Sequence, residues 1–374
     1  MRTRFQQACR LASRLVPAAL LLVASVAADD AGRGADLIFS KNCIACHALS
    51  GTGGDRAPDL AQRSRRGFSP VGLVASFWNH GPAMWQAMAN ARLEVPTLDE
   101  SEVRAIYAYF HSIRYFDPPG DAGEGKRVLE RKRCLECHSE EQFSAQSQVG
   151  DPSAWARQMW NHADPMSAKL AEKGIPWPRL NTEEMVDLMV YLRAQTSARP
   201  RMPSMDIGES AAGRAVFVSH SCVECHTLGG REAGKFDLSK LAQRHRSVAG
   251  FTTAMWNHRP DMAERADKLG IQLKPFTERE MSDLLGYLME TGLFDPRGSA
   301  SRGRNAFRKK GCASCHDAGS APELKGRQAS AIKLAVAVWT HGPEMLEQMR
   351  RAEKDWPNLT GRAVADLIAY LNER

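Results

Sequence analysis

Cys43-Ile44-Ala45-Cys46-His47 is the stretch on which the reading of this chain turns. Two thiols three positions apart, with a histidine directly after the second, form the attachment signature of c-type haem. The order has a chemical reason. Each thiol adds across one porphyrin vinyl group, and the adjacent histidine then stands under the iron as its proximal ligand. The stretch returns as Cys134-Leu135-Glu136-Cys137-His138, Cys222-Val223-Glu224-Cys225-His226 and Cys312-Ala313-Ser314-Cys315-His316. Four covalently attached haem c groups per chain are therefore expected, with His47, His138, His226 and His316 as proximal ligands. A disulfide needs no histidine beside it, and tetrahedral zinc sites bring two cysteine pairs together at shorter spacing, so both are weaker readings.

Working outward, the four histidines are 91, 88 and 90 residues apart, a period of one small domain. Ahead of each motif stands a glycine followed four residues later by an apolar residue: Gly34/Ile38, Gly125/Leu129, Gly213/Phe217 and Gly303/Phe307. That spacing puts both on one face of a helix running into the motif. A second helix closes each repeat. Asp99, Asn181, Thr277 and Thr360 are its N-cap candidates, and Glu102, Glu184 and Glu280 complete capping boxes in the first three, where the fourth has Ala363. Apolar positions then recur at helical spacing, and Tyr109, Tyr191, Tyr287 and Tyr370 hold equivalent places and read as core.

The repeats alternate. From the motif histidine to the next shared histidine takes 33 residues in the first repeat and 32 in the third, but 24 and 25 in the second and fourth. Repeats 1 and 3 also share Leu-Ala-Gln-Arg (from Leu60 and Leu241) and end alike, in Phe116-Asp117-Pro118 and Phe294-Asp295-Pro296. An A-B-A-B order follows, with domains at 29–117, 118–200, 201–295 and 296–374. Short Asp-Pro turns join A to B, so the haems of repeats 1 and 2, and of 3 and 4, are expected to lie close. Thr196 to Gly208 reads as a flexible linker between the pairs. His111 and His220 have no counterparts and read as surface residues. Strand signals are almost absent, and the expected class is all-α.

Residues 1–28 read as a signal peptide: Arg2, Arg4, Arg10 and Arg14 with no acid, an apolar run from Leu15 to Ala28, and small residues before Asp29. An uncleaved anchor is the alternative. Cys9 falls within this segment; the other eight cysteines belong to the motifs. Without the segment the formal charge drops from +7 to +3, and two propionates per haem would lower it further, so the basic balance gives no reason to expect nucleic acid. Export implies a periplasmic or similar location.

The helix–motif–helix repeats resemble class I c-type cytochromes, in four tandem domains covering nearly the whole chain after residue 28. In that family a glycine/aromatic pair on the first helix crosses the last helix; Gly213/Phe217 and Gly303/Phe307 match it well, and Ile38 and Leu129 are aliphatic versions. The resemblance also implies a proline carbonyl accepting from the proximal histidine about a dozen residues on. Pro58 fits, and the other repeats show no clear counterpart.

A second block follows every motif: Trp78-Asn79-His80 with Pro82 and Met84, Trp160-Asn161-His162 with Pro165 and Met166, Trp256-Asn257-His258 with Pro260 and Met262, and Trp339-Thr340-His341 with Pro343 and Met345. The proline between His and Met predicts a helix that breaks and restarts there. The resemblance implies methionine as the sixth iron ligand, so Met84, Met166, Met262 and Met345 are the favoured distal set and His80, His162, His258 and His341 the alternative. The usual family position, just before the last helix, holds no methionine here. Arg63, Arg65 and Arg66, and Arg244, His245 and Arg246, could pair with propionates or form solvated loops.

The expected function is an exported carrier of single electrons between protein donors and acceptors. The alternatives are a peroxidase or small-molecule reductase with one open haem, hinted at only by the displaced Pro165, and a cytochrome subunit of a larger, membrane-bound dehydrogenase complex. The oligomeric state is not legible in the sequence.

Overall fold

The computed structural model describes residues 29–62, 69–144, 151–195, 204–229, 232–243 and 247–373. The segment 1–28, the basic positions Arg63, Arg65, Arg66, Arg244, His245 and Arg246, and residues 196–203 of the linker lie outside them.

One element order recurs four times. Repeat 1 runs through α1 (Asp30–Ser40), the motif turn, α2 (Pro70–Asn90) and α3 (Glu100–Ser112). Repeat 2 has α4 (Ala122–Arg131), the short α5 (Glu140–Ser144), α6 (Pro152–Glu172) and α7 (Thr182–Gln195). Repeat 3 has α8 (Ser210–Ser219), α9 (Val248–Lys268) and α10 (Glu278–Glu290). Repeat 4 has α11 (Ala300–Lys309), α12 (Ala313–His316), α13 (Ala331–Arg351) and α14 (Gly361–Leu371). Strand among the described residues is confined to four segments of two residues each, so the all-α expectation holds.

In each repeat the first helix crosses the last, and the glycine of the sequence pattern is where they touch. A Cβ on Gly34 would stand 2.1 Å from the Ala105 carbonyl oxygen, and one on Gly213 or Gly303 would stand 1.9 Å from that of Asp283 or Asp366. Only a residue without a side chain allows that approach. Beside the crossing the apolar partner fills the core: Ile38, Leu129, Phe217 and Phe307 are all buried. Tyr109, Tyr191 and Tyr370 are buried too, and half-buried Tyr287 packs its ring against Phe217. The closing helices start as their caps dictate. Asp99 and Thr277 accept from the backbone N–H of Glu102 and Glu280, each of which answers to the cap's own N–H, and Asn181 and Glu184 make the same exchange. Caps of this kind are worth about 1 kcal/mol each.

Four sequence expectations need correction. The proline does not break the third element of each repeat: α2, α6, α9 and α13 are single helices of 21 residues with Pro82, Pro165, Pro260 or Pro343 inside. Packing along both ends holds each helix together across the one missing hydrogen bond. His111 and His220 are not on the surface. They are 3% and 6% exposed, packed against Phe116 and Phe276 respectively, with ring centroids 4.4 and 4.2 Å apart. Burial pushes the pKa of His111 down to about 3.

The linker is docked at its far end. Met205 and Ile207 are buried; the Met205 carbonyl accepts from Ala31 N–H, while Ile207 N–H donates to Asp30 and Gly208 N–H to the Ser282 carbonyl. Residues 205–208 thus tie repeat 1 to repeat 3. Asp295, in the turn read as an A-to-B joint, accepts from Val71 N–H across the same junction.

The pairing of repeats is the fourth correction. The main inter-repeat faces are α2 on α13 and α14, and α6 on α9, so repeat 1 packs on repeat 4 and repeat 2 on repeat 3. In the first face Trp78 and Trp356 stack with ring centroids 4.5 Å apart, and in the second the tilted rings of Trp177 and Trp256 pack at 4.2 Å. Arg259, 4% exposed, lies over the Trp160 ring and pairs with Asp164. A and B still pair, but not with the neighbour in sequence, because the helix faces that match belong to repeats further apart in the chain.

Candidate functional site

Each Cys-x-x-Cys-His stretch is a tight helical turn entered through one residue in the left-handed region: Asn42 (φ 61°), Arg133 (62°), Ser221 (58°) and Gly311 (83°). The turn follows directly on the first helix of the repeat, whose crossing therefore sets where the motif sits. In repeats 1, 2 and 4 the histidine N–H donates to the carbonyl of the first cysteine (3.0, 3.1 and 3.0 Å), which brings both residues to one side of the turn. None of the eight cysteines is in a disulfide. Burial raises the pKa of the first thiol in each pair, Cys43 and Cys312 moderately and Cys134 and Cys222 to about 11.

The proximal ring is oriented by a backbone carbonyl where one is available. His47 Nδ1 is 2.8 Å from the Pro58 carbonyl, as the resemblance implied. His316 Nδ1 stands 2.8 Å from the Pro322 carbonyl, so repeat 4 has the proline that seemed to be missing, six residues on instead of eleven. A shorter loop conceals the equivalence in the sequence. Such a bond fixes the ring and leaves Nε2 for a metal.

Opposite the motif, the 21-residue helix presents its shared histidine. Ring centroids of His47 and His80 are 6.4 Å apart, those of His138 and His162 5.6 Å, and those of His226 and His258 6.4 Å. Two imidazoles ligating one metal from opposite sides, each with its nitrogen about 2 Å from the ion, have centroids a little over 6 Å apart. Burial, and then the charge of the facing ring, lower the pKa of His80 and His138. The neutral form, which binds metals, is favoured. His258 also has its Nδ1 3.2 Å from Asp261 Oδ2, a partner that would orient Nε2 toward the opposite ring.

Repeat 2 encloses a cavity of about 910 Å³ lined by Cys134, Cys137, His138 and His162, with Met166, Leu129, Leu188 and Leu192 among its walls. Thiols, two facing imidazoles and an apolar lining are the donor set and the surface that a covalently held porphyrin requires. Lys132 and Arg157 also line it; cations there suit propionates. Met166 is in the same cavity as His162 because positions four apart share a helix face. Among the described residues no cluster of three or more His, Cys, Asp or Glu could hold a bare metal ion, which leaves the zinc reading without a site.

Sequence reasoning missed the role of the tryptophan and asparagine in the Trp-Asn-His block. Their side chains hydrogen-bond across to the other repeat of the pair, and Asn161 also lines the cavity of its own repeat. Their recurrence beside the histidine was the available signal, though a linear sequence gives no indication of which chain segment receives them.

A cytochrome c family model matches residues 31–114, and the model for subunit III of cbb3-type cytochrome c oxidase matches residues 298–371. Comparison with curated proteins and with solved structures gives no match. The two matched segments are repeats 1 and 4, each with its end helices crossed at a glycine and its motif between them, and on that ground these two repeats are c-type cytochrome domains of class I.

Proposed function

We propose that this chain is an exported carrier of single electrons holding four haem c groups, one per repeat, in four domains near 29–117, 118–200, 201–295 and 296–374. The attachment residues would be Cys43 and Cys46, Cys134 and Cys137, Cys222 and Cys225, and Cys312 and Cys315. His47, His138, His226 and His316 would ligate from the proximal side. For the distal side the histidines are preferred to the methionines: His80, His162 and His258, and His341 by its equivalent place in α13.

The observation that carries this reading is the facing of imidazoles across 5.6–6.4 Å in repeats 1 to 3. Met84, Met166 and Met262 lie one helical turn, about 6 Å of axis, away, so a helix can offer one ligand or the other. When bound, the haem supplies the iron that changes oxidation state. His47, His138, His226 and His316 with the facing histidines would hold the iron, the Pro58 and Pro322 carbonyls orient the His47 and His316 rings, and leucine and tryptophan wall the repeat 2 pocket. An iron held by two such histidines would leave no ligand position for a substrate, which favours electron exchange with protein donors and acceptors. No helix among the described residues is long and apolar enough to cross a membrane. Cytochromes of this class are typically exported, in keeping with the signal-like segment.

The test is intact mass together with the ferric near-infrared spectrum of the protein matured alongside haem-attachment machinery. Four added porphyrins and imidazole–imidazole charge-transfer bands are expected. A mass without porphyrin removes the carrier reading; thioether bands restore the methionine set; a high-spin fraction that binds cyanide points to an enzyme.

A further inference from the structure

The segment just ahead of each closing helix is gripped from another repeat in all four cases. Trp78 Nε1 donates to the Pro357 carbonyl, Trp339 Nε1 to that of Pro96, Trp160 Nε1 to that of Lys274 and Trp256 Nε1 to that of Pro178. Pro96, Pro178, Lys274 and Pro357 stand at the same place, three residues before the N-cap of the closing helix. The neighbouring asparagine completes the grip by pairing with both backbone groups two residues on: Asn79 with Leu359, Asn161 with Phe276, and Asn257 with Leu180. In repeat 2 the gripped residues Pro178 and Leu180 line the pocket, and so does Trp256 itself, which belongs to repeat 3.

We propose that the Trp-Asn pair on each 21-residue helix is a positioning device for the haem pocket of the other repeat, which makes the pockets two coupled pairs, 1·4 and 2·3. The proposal rests on the electron-carrier reading. The tryptophan grip is two-way in both pairs and the asparagine clamp two-way in 2·3, so a change in the fit of one pocket is felt at the other through the packed indoles and the asparagine clamps. Pockets adjacent in sequence, 1 and 2 or 3 and 4, share no such grip among the described residues. Repeat 4 carries Thr340 where the others have asparagine, and the strap of repeat 1 is accordingly held by Trp339 without the second clamp.

The experiment uses the haem-loaded full chain and the hyperfine-shifted haem methyl resonances, assigned to their repeats through the thioether cysteines. Asn257→Ala is expected to shift the resonances of the haem at Cys134 and Cys137 more than those at Cys222 and Cys225, and Asn79→Ala to shift those of the haem at Cys312 and Cys315 more than those at Cys43 and Cys46. Exchange of the Leu180 amide should quicken about tenfold with Asn257→Ala, the loss of one buried hydrogen bond. Thr340→Asn is the gain-of-grip variant: it should slow exchange at Leu98 and move the resonances of the haem at Cys43 and Cys46, an outcome that misfolding does not produce. Shifts confined to the variant's own repeat, or a Leu98 amide unaffected by Thr340→Asn, would overturn the proposal. A wild-type chain without porphyrin mass would instead remove the carrier reading, leaving the amide exchange to judge the grip alone.

Discussion

His80 and Met84 lie on one face of α2, four positions apart, and the same choice recurs in every repeat. The facing rings of repeats 1 to 3 support the proposed histidine set, and a second imidazole lowers the potential relative to a thioether. His80→Ala should therefore turn one of four haems high-spin and open it to cyanide, while Met84→Leu should leave the ferric spectrum low-spin; electron paramagnetic resonance distinguishes the two. The reverse result would reinstate methionine. The motif residues themselves were fully legible, because covalent attachment ties cysteines and histidine to a fixed spacing. The ligand across the pocket was not, since helical periodicity puts both candidates on one side and the proposed choice between them rests on ring-to-ring distances in three dimensions. Pro322 escaped for a related reason: a carbonyl can be delivered by loops of different length.

At the level of elements, crossing and capping carry the fold of each repeat. Gly213→Ala places a methyl 1.9 Å from the Asp283 carbonyl oxygen. The helices must separate, at a cost of about 1–3 kcal/mol, visible as a lower denaturation midpoint; an unchanged midpoint would mean the crossing gives way freely. Asp151 caps α6 by accepting from Ser153 and Ala154 N–H, and burial raises its pKa to about 6. A carboxyl whose folded pKa lies above its unfolded value stabilises below the unfolded value of 3.8, and that contribution is lost as pH rises through about 6. Asp151→Asn keeps the cap and escapes the penalty. Its stability should exceed the wild type by roughly 1–3 kcal/mol at pH 7–8, and the difference should vanish at about pH 3, below the unfolded value, as read from denaturant titrations at both pH values. These helices were readable because caps, glycine and apolar spacing are local. The continuity of α2 through Pro82 was not, since what outweighs a proline's missing bond is packing from other repeats.

Across the whole molecule, two faces bring together repeats that the chain order separates. Their fit is matched in size. Trp85, 6% exposed, lies against Gly342 of α13, where an added Cβ would come within 2.1 Å of the indole. The other face has Arg259 and Ala163 at the positions of Gly342 and Gly81, with small Ser167 and Ala263 in place of Trp85 and Leu346. Gly342→Leu should force repeats 1 and 4 apart while the 2·3 face stays closed, raising the radius of gyration in small-angle scattering. A radius and melting temperature equal to the wild type would refute the importance of that fit.

Sequence alone determined that four haem-attachment motifs recur at one period, that each stands between two helices crossing at a glycine, and that long and short repeats alternate. Those features depend on covalent spacing and on contacts within one repeat, which periodicity records. Tertiary structure decided which repeats embrace, that the end of the linker is docked, that His111 and His220 are buried, and that the shared tryptophans and asparagines bond to the backbone of another repeat. Each of these depends on surfaces far apart in the chain meeting in space, and complementarity between such surfaces leaves no period to read.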